Sequence, residues 1–451
     1  MFYFNEKITA LADVKMNNAT VKNLWKGFCF TAGDIEIQKG EQLTFKIGDT
    51  DIPALKNGEE FAVRVDSDGA AVRGRDYSGL MRGFCTLLMK IQPCCLEKGS
   101  ERFFLPTGEF KSEYSIKSRM IHICIFPESD LYFIKKCVRL AGVLGFTHIV
   151  LEFWGMLEYA CMKELAWPNA FSKEEISEVI TEIRDFGMEP VPMFNQLGHA
   201  TASRVGYGKH VVLDQNPRLQ EYFTPDGWCW KITSDKVFDF LKQVRYELYE
   251  LFGDGEYMHI GCDEAYFYSN SKEARQGLAE YLRRLTAEVV SEGRRPMLWM
   301  DMLLPNTVKQ DCYGVCPPDE ADMLLSSLDP SSVMVDWQYG VKTAPVPSLM
   351  YFKDKGLDLI GAPWLSKANI SAHIDTISDN GLSGIMLTTW HTLKKDMDGI
   401  LYCAQRFGAK TFDWSTGASG LREETATLLR RLSFEGNTYA DCGWSREQIE
   451  V

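Results

Sequence analysis

Between Arg119 and Trp390 the chain repeats one pattern eight times: a short apolar run, then a longer amphipathic stretch, often closed by a glycine. The apolar runs are Met120–Phe126, His148–Trp154, Glu189–Phe194, Tyr257–Gly261, Pro296–Asp301, Val333–Trp337, Leu357–Gly361 and Ile385–Trp390. Parallel strands bury both faces and need a long crossover to reach their neighbour, so runs of this kind alternating with helices predict a parallel sheet. Eight of them predict an α/β fold, the closed (β/α)8 TIM barrel. The helical stretches Asp130–Leu144, Ser172–Phe186, Asp235–Phe252 and Lys272–Glu292 meet Gly145, Gly187, Gly253 and Gly293 at their ends, and Ser172 with Glu175 reads as a capping box. A doubly wound open sheet would carry a glycine-rich phosphate turn after its first strand, whereas Phe126 is followed by Pro127-Glu128-Ser129-Asp130.

The first part of the chain reads differently. Runs at Gln42–Ile47 and Glu60–Val65, with turns at Gly48-Asp49, Asn57-Gly58 and Asp68-Gly69, predict strands, and Ser78–Ile91 predicts a helix ended by Pro93. Residues 1–112 are therefore expected to form a small α+β domain, residues 113–410 the barrel, and residues 411–451 an extension whose helix, Leu421–Leu432, packs outside the barrel.

A net charge of −13 argues against a nucleic-acid partner. No apolar run reaches the roughly 18 residues that span a bilayer, and the start MFYFNEKITALADVKMNN has no basic segment leading into an apolar one, so neither membrane insertion nor secretion is expected. Thirteen cysteines, Cys94 and Cys95 among them, show no CxxC or Cys/His spacing. They read as reduced thiols in a cytoplasm, and no metal or cofactor is expected.

Barrels of this kind place their chemistry where the strands end. Trp154, Trp299, Trp337, Trp364 and Trp390 fall at such ends, five of only 11 tryptophans in the chain. Barrel interiors are mostly aliphatic, so this bias predicts a shared aromatic pocket suited to the flat faces of a sugar or an amide. The third strand leads to Asn195 and His199, the fifth to Asp301, and the fourth into His259-Ile260-Gly261-Cys262-Asp263-Glu264. Two adjacent carboxylates in a dry pocket cannot both ionise cheaply, and an acid beside an anion is the equipment of glycoside hydrolysis. Cys262 reads as a small buried thiol, because neighbouring carboxylates would raise its pKa and not activate it.

The run HIGCDE resembles the His-x-Gly-Gly-Asp-Glu signature of family-20 glycoside hydrolases, the β-N-acetylhexosaminidases, with Cys262 in place of the second glycine. Phe194-Asn-Gln-Leu-Gly-His199 is similar to that family's turn ending in Pro-Gly-His, as are Arg119, Gly361-Ala-Pro-Trp364 and the helix Asp76 to Leu88 to further family segments. The resemblance implies an exo-acting enzyme that releases terminal β-N-acetylglucosamine or β-N-acetylgalactosamine from an oligosaccharide or glycoconjugate, with retention. Glu264 is then the general acid, and Asp263 orients the 2-acetamido group that attacks as the nucleophile. Arg119 would bind ring hydroxyls, Trp299, Trp337 and Trp390 would wall the acetamido pocket, and His199 and His259 would support the acid pair.

Three departures from the family accompany these matches. The family's acetamido-contacting tyrosine falls on Leu365, its nearby aspartate on Lys367, and its hydroxyl-binding glutamate on Thr392. Tyr339 is the candidate substitute for the tyrosine, and Glu152 or Glu158 for the hydroxyl readers. His148–Trp154 and Trp337-Gln338-Tyr339 are more similar to the hexosaminidase D branch, which implies an intracellular enzyme tolerant of N-acetylgalactosamine. The second function class left open is a carbohydrate-binding barrel that has lost turnover.

Overall fold

The structure, a computed structural model, describes residues 1–4, 7–29, 34–93, 103–112, 114–201, 208–210, 212–308, 316–395, 397–408 and 420–434. Its first part contains β1 (Phe2–Phe4), β2 (Lys7–Ala12), α1 (Asn18–Phe28), β3 (Asp34–Lys39), β4 (Thr44–Gly48), β5 (Phe61–Val65), β6 (Gly69–Gly74), α2 (Tyr77–Met89), β7 (Gln92–Pro93), β8 (Phe103–Leu105) and β9 (Gly108–Lys111). Six of these strands form a sheet in the order β3-β2-β4-β6-β5-β9, and β1-β8-β7 form a small second sheet. Helix α2 lies close on the large sheet because Gly83 has no side chain: a Cβ there would come within 2.6 Å of Val72. Helix α1, which the sequence reading did not anticipate, is capped by Asn17 and buries Val21, Leu24, Trp25 and Phe28.

Eight parallel strands then close a barrel in chain order: β10 (Ser118–Ile125), β11 (His148–Phe153), β12 (Glu189–Met193), β13 (Tyr257–His259), β14 (Arg295–Trp299), β15 (Val333–Asp336), β16 (Asp358–Gly361) and β17 (Gly384–Thr388), the last pairing back on the first. This is the (β/α)8 barrel that the repeat predicts. Around it run α3 (Leu131–Val143), α4 (Lys173–Asp185), α5 (Val212–Gln215), α6 (Asp235–Phe252), α7 (Lys272–Ser291), α8 (Pro318–Ser327), α9 (Pro347–Asp354), α10 (Lys367–Asn380) and α11 (Met397–Gln405), and α12 (Leu421–Arg431) packs against α1, α3 and α11. Ser172 and Glu175 make both bonds of the capping box that opens α4.

Strand residues alternate between two cores. Met120, Val150, Val191, Met297, Val335 and Met386 fill the lumen, whereas Ile121, Leu151, Leu298, Met334 and Leu387 pack outward in the layer shared with the helices. On β10 and β11 the same alternation sends His122, Cys124 and Glu152 into the lumen above Met120 and Val150. Arg119 lies at the other end of β10. Its guanidinium donates to the carbonyls of Gly145 (2.8 Å) and Ile116 (2.8 Å) and pairs with Glu60 of the small domain at 3.1 Å, with nothing exposed. Tyr77 Oη on α2 donates to the Asp185 carbonyl at 2.9 Å, and Asn17 donates to the Asp185 carboxylate at 2.8 Å. The boundaries placed at 113 and 410, the Cys94-Cys95 pair and residues 435–451 lie outside the described residues.

Candidate active site

Two loops at the C-terminal ends of β12 and β13 meet at close quarters. A Cβ on Gly198 would come within 2.1 Å of the Asp263 carbonyl, and one on Gly261 within 2.5 Å of Asn195, so only glycine lets the backbones approach this closely. Asn195 ties the loops: its Oδ1 accepts from the N–H groups of Leu197 and Cys262, each at 3.1 Å, and its Nδ2 donates to Asp263 Oδ1 at 2.5 Å. His199, Cys262 and Glu264 all adopt left-handed backbone, with φ of 52°, 74° and 49°. Such angles cost free energy away from glycine and gather at functional sites. The φ of Cys262 also explains why glycine stands there in the signature that the sequence resembles.

One histidine nitrogen serves both carboxylates. His199 Nε2 lies 3.2 Å from Asp263 Oδ2 and 3.0 Å from Glu264 Oε2. Burial opposes charge on the imidazole, yet Asp263 and the bond to Glu264 outweigh it and push His199 up to about 10. Burial likewise opposes the Asp263 anion, but His199 and Lys209 hold it down to about 2. The environments of the two acids differ: the Asp263 side chain is 8% exposed and that of Glu264 31%. Glu264 is fixed from three sides. Its N–H donates to Asp301 Oδ2 (2.8 Å), its carbonyl accepts from Trp228 Nε1 (2.7 Å), and its Oε1 accepts from Tyr266 Oη (3.2 Å). The Trp228 ring also packs on His199, 4.5 Å between centroids. Asp301, buried beside Asp263, is pushed up to about 8, and its Oδ1 accepts from Trp337 Nε1 at 3.2 Å.

All five strand-end tryptophans lie at this mouth. Trp299 and Trp390 pack 5.7 Å apart, Trp390 Nε1 donates to Tyr339 Oη at 2.8 Å, and Tyr339 sits between Trp337 (5.4 Å) and Trp364 (5.2 Å). The Lys209 ammonium stands over Trp154 at 5.3 Å and Trp390 at 5.8 Å. Beneath it Glu152 pairs with Lys209 and accepts from His122 Nε2 (3.1 Å) and Trp154 Nε1 (3.2 Å).

The loop that resembles the signature thus brings both carboxylates to one imidazole, inside an aromatic mouth. Residues 151–315 match the model for the catalytic domain of glycosyl hydrolase family 20, a span from Glu152 past Asp301. Over that span the chain is similar to glycosyl hydrolase family 20. It is 26% identical over 233 residues to Beta-hexosaminidase A of Caenorhabditis briggsae, covering 48% of this chain and 40% of that protein, so the chain spans well under half of that relative's length. It shares its fold with the family-20 β-N-acetylhexosaminidase of Streptomyces coelicolor A3(2), at a TM-score of 0.66 and 14% identity, over 98% of this chain and 96% of that one. The β-N-acetylhexosaminidase of Bacteroides fragilis NCTC 9343 gives 0.63 and 15%, over 98% and 96%.

Against the family pattern, two assignments need correction. Arg119 cannot bind ring hydroxyls, because it is sealed at the opposite end of the barrel with its donors spent on Glu60 and three carbonyls. His259 does not bond the acid pair. Its Nδ1 accepts from Gly261 N–H at 3.1 Å, its ring packs 4.6 Å from Trp299 in the lumen, and burial holds it down to about 3, hence neutral. Lys367 pairs with Asp398 at 3.0 Å, Thr392 accepts from Trp364 Nε1 at 3.0 Å, and Glu158 is exposed in the loop after β11. Sequence reasoning missed Trp228, Lys209, His122 and Tyr266. The turn Pro225-Asp226-Gly227 before Trp228 was the available signal, since it delivers an indole from a loop on the reactive face. Lys209 had none.

Proposed function

We propose that the protein is an exo-acting β-N-acetylhexosaminidase, a glycoside hydrolase that cleaves terminal β-linked N-acetylhexosamine from a glycoconjugate with retention. The observation that carries this is the asymmetry of the acid pair about His199: Asp263 is sealed and anionic, Glu264 half-exposed at the mouth. An acid that must reach a departing aglycone belongs on the open side, and an anion that must face a developing positive charge belongs on the dry side. In this reaction Glu264 gives its proton to the glycosidic oxygen as the bond to the anomeric carbon breaks. The substrate's acetamido oxygen forms the new bond to that carbon, giving an oxazolinium whose N–H is held by Asp263. Water then opens the ring on the face the aglycone left, returning its proton to Glu264. Tyr339, hydrogen-bonded at the mouth, is the group nearest in kind to the tyrosine that the family places at Leu365. We place the reaction in the cytoplasm, on the reading of the thirteen cysteines as unpaired thiols.

The test is hydrolysis of an aryl β-N-acetylhexosaminide followed by NMR. The β-anomer of the free sugar is expected first, and a thiazoline mimic of the oxazolinium should inhibit at about micromolar concentration or below. Release of the α-anomer, or no inhibition at millimolar mimic, would reject neighbouring-group participation.

A further inference from the structure

Every cation and carboxylate that the family resemblance offers for reading the sugar's outer hydroxyls is missing from the mouth. Arg119 is at the far end, and the positions of the nearby aspartate and the late glutamate hold Lys367 and Thr392, each engaged elsewhere. The mouth holds instead a buried ion pair. Lys209 is 3% exposed and Glu152 2%, and both lie beside the acid pair: the Lys209 N–H donates to the His199 carbonyl at 2.8 Å. Two charges are taken out of water only at a cost of several kcal/mol per ion, order of magnitude, so such a pair is weak as a stabiliser and calls for another reason to be there.

The partners of the two groups are unequal. Glu152 accepts from Lys209, His122 and Trp154, with Cys124 Sγ 3.5 Å away, so its lone pairs are satisfied without a ligand. Lys209 has three N–H donors, and its ammonium has one hydrogen-bonding partner, Glu152, among the described residues. With capacity for two more bonds among the described residues, the ammonium lies within 6 Å of the rings of both Trp154 and Trp390. The trio His122, Cys124 and Glu152 has the donor types of a metal site, but the Lys209 ammonium already neutralises the carboxylate on which an ion would depend.

We propose that Lys209 is the specificity-determining residue for the outer hydroxyls, donating to the sugar's 4-oxygen in either epimer while Glu152 holds the ammonium in place. The inference rests on the hexosaminidase reading. Its chemistry follows from the side chain: an ammonium on a flexible stem presents rotatable donors that reach an axial or an equatorial oxygen, where a rigid fork would choose. Glu152, already satisfied, loses no partner when the hydroxyl changes face, so neither epimer is penalised.

The experiment compares aryl β-N-acetylglucosaminide, its galacto epimer and its 4-deoxy analogue on the wild-type protein, Lys209→Met and Lys209→Arg, with calorimetric binding of the corresponding free sugars. Wild type should lose about tenfold to a hundredfold in kcat/KM on the 4-deoxy substrate, the range of a hydrogen bond to a charged group. Lys209→Met, which also removes a cation that holds Asp263, should lose more on both hydroxylated epimers than on the 4-deoxy substrate, by that same factor. Lys209→Arg, whose rigid fork favours one face, should separate the epimers. A wild type indifferent to the 4-deoxy change overturns the proposal whether or not the variants fold, and so does an equal loss by Lys209→Met on all three substrates. A wild type that binds the sugars with this Lys209 dependence but cleaves none rejects the hexosaminidase reading and leaves the recognition role standing; one that neither binds nor cleaves rejects both.

Discussion

The backbone N–H of Glu264 is held by the side chain of Asp301, 2.8 Å away across the gap between β13 and β14. The residue proposed as general acid is thus positioned through its main chain by a second acid, which is itself anchored to Trp337. Asp301→Asn puts an amide donor where one of these two N–H groups needs an acceptor. The expected outcome is a fall in kcat/KM of at least about tenfold, equivalent to about 1.4 kcal/mol, with the far-ultraviolet spectrum unchanged. Wild-type kinetics in this variant would show that the contact does not position Glu264.

Replacement of Glu264 by Gln removes the proton and keeps the shape. Substrates with poor leaving groups should then become inert, whereas a dinitrophenyl aglycone, which needs little protonation, should lose far less. The comparison of the two leaving groups is the measurement, and equal losses would move the acid role to another residue.

Stability should depend on pH through this cluster. His199 rises from 6.5 to about 10 in the folded protein, so its contribution is complete below about 6.5 and is lost as pH climbs toward about 10. Asp263 falls from 3.8 to about 2, so its contribution is complete above about 4 and is lost as pH drops through about 2. Asp301 rises from 3.8 to about 8; the unfolded chain releases its proton first, and stability declines between those values. Chemical denaturation is expected to show a midpoint that falls between pH 6.5 and 8, less steeply in Asp301→Asn and in His199→Gln. A midpoint that rises over this range would contradict the assigned charges.

The indoles of Trp337 and Trp390 line the mouth without sealing the core, each half-buried. Trp337→Ala and Trp390→Ala should each reduce kcat/KM by more than about tenfold while thermal unfolding stays cooperative. Loss of folding without a prior loss of turnover would return both residues to a packing role.

Absence of a carboxylate at Lys367 and Thr392 leads to a prediction about selectivity. The β-N-acetylgalactosaminide and β-N-acetylglucosaminide should be cleaved with kcat/KM values within about tenfold of each other, or with the galacto sugar preferred, and the β-glucoside and β-galactoside should be inert. Parallel kinetics on the four aryl glycosides decide it. A gluco preference of about a hundredfold or more would point to an acceptor that senses the face of the 4-hydroxyl.

How much of this could be read from the residues differs from one to the next. The barrel strands were legible because they are apolar on both faces, and the Asp263-Glu264 pair because it follows such a strand directly. Arg119 was given the wrong role and not the wrong place: it precedes the first apolar run, and with β10 beginning at Ser118 it lies at the closed end, away from the strand ends where the chemistry gathers. Helix α1 was hidden because a charged, threonine- and asparagine-bearing stretch of 11 residues carries a weak intrinsic preference, and tertiary burial of Trp25 and Phe28 decides it. Lys209 belongs to a loop with no motif, and only the fold brings it to Glu152, 57 positions earlier.

The tie between Arg119 and Glu60 bears on how this protein can be divided. A barrel expressed without its first hundred or so residues would keep a guanidinium sealed in its base with the counter-charge gone, a loss of the order of 3–5 kcal/mol for a buried pair broken on one side. The small domain is in this sense the floor of the barrel, and not a cargo it carries. Truncation, domain exchange or grafting at that seam would have to move the glutamate and the arginine together.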